Sequence, residues 1–329
     1  MKRLSKYLGF RSHLLWVSLI FSMFLACKKV DKTAEAIAAT QIDLSIARFD
    51  REFAAAKAET IPLLKSKYPY LFPSQFSDSV WVAKLKDTIQ LELSEEVDKV
   101  FGDFEDETTD LESLFKHVAY YFPKAKPPKI ITVTSDVRYN DRVILTDSLL
   151  LLGLDNYLGP EHHFYERIQR YIASGLDKKY LASDVASALA KKIVKYPSDR
   201  SFLSRMVYYG KELYLKDKLL PQKEDAQKIG YSDIQMQWAI DNEEQIWRYF
   251  IDSELLYSTD AKLDRRFLDP APFSKFGLVM DSDSPGRIGR YIGWQIVRAF
   301  MDKNDVTLDQ MLSLPADEIF KRSKYKPRK

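Results

Sequence analysis

The sequence predicts a helix-dominated α+β fold, a single domain with a short β-hairpin or small sheet, and three observations carry that prediction. Apolar residues recur at helical spacing through most of residues 49–320. The period changes once, at two β-branched runs between Lys129 and Thr146. No repeat, low-complexity block or obvious linker interrupts the same span, so the elements belong to one domain.

Taken in order, Phe53, Ile61 and Leu64 predict a first helix that stops at Tyr68, Pro69 and Pro73. Asp78 can cap a second, in which Val80, Leu85, Ile89, Leu93, Val97 and Val100 fall near one face. A third runs from about Asp110 to Phe122 and ends at Pro123. Lys129 to Thr134 and Arg142 to Thr146 read as a hairpin or two neighbouring strands, joined by the polar turn Asp136 to Asp141. Helices resume at Pro160 and are expected at 160–174, 179–195, 199–219, 231–257 and 286–303.

The N-terminus has a different character. Lys2, Arg3, Lys6 and Arg11 precede the apolar stretch Leu14 to Leu25, then Ala26 and Cys27, the sole cysteine. A basic segment, a short apolar segment and a small residue before a cysteine form the layout of a bacterial lipoprotein signal. The apolar run holds about a dozen residues where a membrane span needs roughly 20, which makes a transmembrane anchor the weaker reading, as is an ordinary secretory signal. Residues 1–26 are expected to leave as signal peptide, Cys27 to be acylated, 27–40 to act as a charged, alanine-rich tether, and 41–329 to fold. The lipid would hold the protein to a membrane of the cell envelope, facing the periplasm.

Charge follows from this division. The chain of 329 residues has a formal charge of +3 and an isoelectric point near 8.6. The signal carries four of the 50 bases and none of the 47 acids, which leaves −1 for the rest. Six further bases lie in the last nine residues, so the body from Cys27 to Phe320 stands at −7. That excludes a nucleic-acid binder. With one cysteine no disulfide can brace the domain, and stability must come from a core that 46% hydrophobic and 13% aromatic residues can supply.

Catalytic motifs are missing. The sequence has no G-x-S-x-G elbow, no P-loop and no G-x-G-x-x-G, and its four histidines, His13, His117, His162 and His163, leave residues 164–329 without an imidazole. His162 and Glu166, four apart on a helix opened by Pro160, could share a face as metal ligands with His163 and Asp155 nearby. The plainer alternative is a helix start whose acids complement the dipole. Asp281 and Asp283 imitate the opening of a calcium loop, but Ile292 stands where a bidentate glutamate is required. Ser284 and Pro285 more simply cap and open the last long helix. No catalytic residue, metal or cofactor is therefore expected.

That helix carries Gly286, Gly289 and Gly293 near one face. Each glycine costs about 1 kcal/mol against alanine in a helix interior, so close backbone packing, or an open face for a partner, should offset it. Gly286, Arg287, Gly289 and Gly293 are the candidate interaction or packing face, and Arg287, Arg290 and Arg298 could hold carboxylates or phosphates, or form salt bridges.

Read in order, Ala47-Arg-Phe-Asp-Arg-Glu-Phe53, Tyr68-Pro-Tyr-Leu-Phe-Pro73, Leu154-Asp-Asn-Tyr-Leu-Gly159 with His163-Phe-Tyr165, Asn242-Glu-Glu-Gln-Ile-Trp-Arg248, Pro270-Ala-Pro-Phe-Ser-Lys-Phe276 and Ser284-Pro-Gly-Arg-Ile-Gly-Arg-Tyr-Ile-Gly-Trp-Gln-Ile-Val297 resemble the gliding-motility lipoprotein family GldB. The resemblance covers nearly the whole mature chain and implies a cell-envelope protein needed for gliding, associated with type IX secretion and with other envelope proteins of that machinery. More distantly, such chains resemble zinc-dependent peptidase-like proteins with an H-E-x-x-H helix and a second helix patterned Glu-Gly-x-Ala-x-Tyr. Here Tyr209-Gly-Lys-Glu-Leu-Tyr214 matches the second pattern, with Tyr209 in place of the ligand glutamate, and Ala188-Leu-Ala-Lys-Lys192, within Asp184 to Val194, stands in for the first. The resemblance thus implies a degenerate zincin-like scaffold, a pseudoenzyme acting by protein–protein interaction. The alternative is a peptidase-like or peptidoglycan-acting hydrolase that uses carboxylates such as Glu212, Asp241, Glu243 or Glu244 without a zinc site.

Overall fold

A computed structural model describes residues 32–278 and 281–329. Cys27 and the signal lie outside the described residues. Ile42–Lys329 form one compact unit, and the described residues before it, 32–41, belong to another. In the latter, the alanine-rich stretch read as a tether carries a helix, α1 (Lys32–Ala38), as its good helix formers favour.

The larger unit is helix-dominated α+β with one small mixed sheet, as its sequence predicts. Its elements are β1 (Ile46–Ala47), α2 (Phe49–Ala54), α3 (Ile61–Lys67), α4 (Asp78–Leu85), α5 (Thr88–Phe101), α6 (Glu105–Tyr121), β2 (Lys129–Val133), β3 (Val143–Leu145), β4 (Leu149–Gly153), α7 (Arg170–Ala173), α8 (Leu181–Ile193), α9 (Phe202–Leu219), α10 (Asp225–Ile229), α11 (Asp233–Asp241), α12 (Glu243–Asp252), α13 (Lys262–Phe267), α14 (Ile288–Lys303), α15 (Leu308–Ser313) and α16 (Ala316–Ser323).

The two predicted strands are present as β2 and β3, but they are not neighbours. The order is β1-β2-β4-β3: β4 inserts between them, parallel to β2 and antiparallel to β3. β4 reads Leu-Leu-Leu-Leu-Gly, which lacks the β-branched signal; its strand state comes from burial on both faces. Ile130, Leu150 and Leu152 point into a core with α5, α6 and α8, while Ile131 and Leu151 meet the aromatic cluster of Phe49, Tyr68, Phe72 and Trp81.

Five helical predictions need correction. The first helix, read through Phe53, Ile61 and Leu64, divides into α2 and α3 with residues 55–60 between them. The helix capped at Asp78 breaks at Lys86–Asp87, because the Asp87 carboxylate accepts from Ile89 and Gln90 N–H groups and starts α5 anew; Val80 and Ile89 are exposed. The third helix starts earlier, at Glu105, whose acidic first turn suits a helix N-terminus. The span 231–257 divides at Asn242 into α11 and α12. Residues 160–174 hold only a 3-10 turn, His163–Tyr165, and the short α7.

A second core joins α9 to α16. Its centre is the pairing of α9 with α14, which run in the same direction: Gly289 lies by Phe202, Gly293 by Met206, and Arg298 pairs with Asp217. Because α9 sends Phe202, Met206 and Leu213 into this core and Leu215 and Leu219 into the sheet-side core, it is the shared wall of both.

Candidate functional site

Where the two cores meet at α9, a cavity of about 450 Å³ opens, within the range of ligand pockets. The β2–β3 connection brings Tyr139 and Arg142, α8 brings Ser183, Asp184 and Ser187, α9 brings Tyr209, Glu212 and Lys216, and the start of α14 brings Gly286, Arg287 and Arg290. Tyr180 and Tyr231 also line it.

Local structure explains each placement. Asp136 and Val137 both adopt left-handed backbone, unfavourable for a β-branched residue. Buried Asp155 fixes that turn by accepting from the Ser135 and Val137 N–H groups at 2.9 and 2.6 Å, and so presents Arg142 to the cavity. Arg142 then pairs with Asp184 at 2.6 Å, which also accepts from the Tyr157 hydroxyl at 3.0 Å. Lys216, only 6% exposed, donates to Ser183 Oγ at 3.0 Å and to the Lys228 carbonyl at 2.6 Å. The Tyr231 hydroxyl donates to the Gly286 carbonyl at 2.6 Å and the Tyr180 hydroxyl to the Tyr231 carbonyl.

Arg287 occupies the N-cap position of α14 with φ of 64°, a left-handed conformation that arginine rarely adopts. Its guanidinium lies over the Tyr231 ring and donates to the Gly230 carbonyl at 2.9 Å. Arg290 stacks 3.8 Å above the Tyr209 ring and donates to the Leu268 carbonyl. Lys216, Arg287 and Arg290 form no ion pair with a carboxylate among the described residues. Burial lowers the pKa of Lys216 to about 8 and that of Arg287 below its ordinary value. It raises that of Glu212, whose Oε1 is buried without a hydrogen-bond partner.

Of the residues singled out in sequence, Gly286 and Arg287 line this cavity, while Gly289 and Gly293 lie inside the α9–α14 contact. A Cβ at Gly293 would fall on the Met206 carbonyl, one at Gly286 on the Ala271 carbonyl, and one at Gly289 would sit 2.9 Å from a Leu268 methyl. Gly286 is not helical, and Ser284 does not cap α14. Ser274 does this instead: its Oγ accepts from the Ile288 N–H and donates to the Pro285 carbonyl. Arg298 forms a structural network, pairing with Asp217 and Asp225 beneath Trp294.

The remaining candidates scatter. Without a helix at Pro160, His162 and Glu166 share no helical face: His162 faces Glu96 at 3.3 Å, His163 faces Glu92 at 2.9 Å, and Glu166 is exposed. Asp281 accepts from the Gly277 and Leu278 N–H groups, and Asp283 is exposed. Glu243 is buried and accepts from Tyr291, Tyr325 and the Arg328 N–H, so it fastens the C-terminus. Asp241 and Glu244 accept from Gln237 and Arg248 on their own helices. Of the proposed catalytic carboxylates, only Glu212 faces the cavity.

Sequence reasoning missed Arg142, Ser183, Asp184, Ser187, Lys216 and Tyr231. The available signal was charge at helical spacing, Glu212 and Lys216, in a helix whose other residues include many apolar and aromatic ones, and the Ser-Asp-x-x-Ser spacing in α8.

A profile of the gliding motility protein GldB family matches residues 30–327, nearly the entire chain. The chain belongs to the GldB family. Membership gives it a role in gliding motility as a lipoprotein of the cell envelope. Among the described residues no helix is long and apolar enough to cross a membrane. Compared with curated proteins and with solved structures, the chain shows no significant match.

Proposed function

We propose that the protein is a non-catalytic, lipid-anchored binding component of the gliding machinery, held by Cys27 on the periplasmic side and working with other envelope and secretion proteins. The observation that supports this reading is the chemistry of the α8–α9 wall. The stretch of α8 facing the cavity is Ser183-Asp-Val-Ala-Ser187, five residues before the Ala188–Lys192 register inferred from resemblance, because Ala190 is packed in the core. Ser183 and Ser187 stand at i and i+4, and Tyr209 faces them from α9. Two hydroxyls and a phenol do not fit a zinc site, which takes cysteine, histidine or carboxylate ligands, and among the described residues no group of three or more such side chains is gathered. The nearby acids are engaged otherwise: Asp184 holds Arg142 and Tyr157, and Glu212 is held by Tyr208. What the wall offers is donors, not an activated nucleophile.

Replacement of the one carboxylate placed for hydrolysis tests this. Glu212→Gln, with an unchanged melting temperature, is expected to restore surface spreading in a deletion strain and to retain crosslinked partners in an envelope pull-down. Loss of spreading by this folded variant, or about one zinc per chain by elemental analysis, would move the assignment to a hydrolase.

A further inference from the structure

We infer that the cavity beside α9 binds a small oxyanion, a carboxylate- or phosphate-bearing molecule, with Lys216, Arg287, Arg290 and Arg142 as its cationic wall; this rests on the cavity being a binding site rather than a hydrolytic one. Five basic residues, Arg142, Lys216, Lys228, Arg287 and Arg290, line it against two acids, Asp184 and Glu212; Arg142 is neutralised by Asp184 and Lys228 by Asp217, which lies outside the cavity lining. Lys216, Arg287 and Arg290 remain without a carboxylate partner among the described residues.

A cation removed from water without a counter-charge is costly, and structures normally pair it. The same fold does so elsewhere: buried Arg205 faces Asp264 at 2.6 Å. The cavity is where that habit is broken. Unused donors point the same way. Arg287 uses one N–H on the Gly230 carbonyl and Arg290 one on the Leu268 carbonyl, so each guanidinium keeps donors with no protein acceptor among the described residues. Planar guanidinium groups suit the paired oxygens of carboxylate or phosphate, and the rings of Tyr209 and Tyr231 fix their planes.

The backbone accounts for where Arg287 points. Arg287 holds a left-handed conformation at the cap of α14, where glycine or asparagine would be at ease, and this sends its side chain beneath Gly230 into the cavity. The buried Glu212 carboxyl, held by Tyr208 but with its Oε1 unpartnered and burial raising its pKa, is the one lining acid in no ion pair, and protonation beside an oxyanion would turn it from a repulsive group into a donor.

Calorimetric titration of the full-length protein in detergent, at low salt, tests the site with pyrophosphate and citrate as separate probes. Binding of at least one probe is expected, weakened about tenfold or more by Arg287→Gln and by Lys216→Met. Lys211→Met, which alters a buried lysine in a different cavity, should leave binding unchanged. A response to pyrophosphate alone assigns a phosphate ligand and a response to citrate alone a carboxylate ligand. Absence of binding by both probes, or affinity unmoved by both cavity variants, overturns the inference. Partner capture and spreading by Glu212→Gln report on the binding role separately, so the two can fail independently.

Discussion

Where α9 and α14 touch, glycines set backbone against backbone; on the adjoining side, the same two helices stand apart around a cavity lined by cations. In the first region Gly210, Gly289 and Gly293 leave no room even for a methyl group, and Met206, Phe202 and Trp294 fill the surroundings. In the second, Tyr209, Glu212 and Lys216 of α9 face Arg287 and Arg290 of α14 across open volume. Rigid contact on one side is what allows the other to remain open. A loosely packed pair would close over a charged gap or separate from it, whereas a filled interface fixes the spacing to within a methyl group.

The largest effect should come from disturbing the contact. Gly293→Ala places a methyl group on the Met206 carbonyl, which belongs to a helix backbone and cannot move alone. We expect at least about 3 kcal/mol of destabilisation, the upper part of the overpacking range, read as a lower urea midpoint. A variant that melts like the parent would show that the helices are not in backbone contact, and the comparison would collapse. Gly289→Leu, meeting a flexible Leu268 side chain and the Phe267 carbonyl, should cost less, about 1–3 kcal/mol.

On the open side the sign reverses. Lys216 has its pKa lowered to about 8 from 10.5, so the folded state sheds a proton more readily than the unfolded chain. The penalty is fully present below pH 8 and fades as pH rises toward 10.5. It corresponds to about 3 kcal/mol, against about 1–3 kcal/mol for leaving the Lys228 carbonyl without its donor. Lys216→Met should therefore stabilise the ligand-free protein by about 1 kcal/mol at pH 7, and the gain should vanish by about pH 10 in thermal melts. Destabilisation at pH 7 would mean that the cavity cation is a structural asset.

These two regions also differ in how much of them the sequence reveals. The glycine face could be read because helical spacing is local: Gly289 and Gly293 lie four residues apart, and their conformational cost implies a compensating contact. The cavity could not, because Arg142, Ser183, Lys216 and Arg287 come from four distant segments that only the tertiary fold unites. The same division runs through the elements. α8, α9 and α14 follow from apolar periodicity, with boundaries off by a few residues. β4 is hidden in the sequence because leucines give no strand signal, and the Pro160 segment forms a turn where its sequence predicts a helix because the Leu158 N–H donates to the Tyr165 hydroxyl and Tyr165 to the Asp155 carbonyl.

A smaller perturbation probes the hinge between closed and open sides. Ser274→Ala removes the acceptor for the Ile288 N–H and the donor to the Pro285 carbonyl, at the point where α14 begins and Arg287 turns into the cavity. A cost of about 1–2 kcal/mol is expected, the usual value of a lost cap. If the cap also positions Arg287, anion affinity should drop with stability. A loss of stability with full affinity would show that Arg287 is held by Tyr231 and Gly230 alone.

The smallest effect on either region should come from the far end of the chain. Cys27→Ser lies outside the compact unit that begins at Ile42, so the melting temperature and anion affinity should stay at parental values. Membrane attachment should not. A lipoprotein cysteine carries more than one acyl chain, and anchoring of that kind resists salt washing, whereas a single chain binds only marginally. Metabolic labelling with a palmitate analogue, followed by salt extraction, is expected to show label and membrane retention in the parent and neither in Cys27→Ser. A labelled variant would displace the anchor from Cys27. An unlabelled variant with altered melting would mean that the lipid-bearing segment and the folded unit are energetically coupled, and the closed and open sides of α9–α14 would then have to be compared again in the membrane-bound protein.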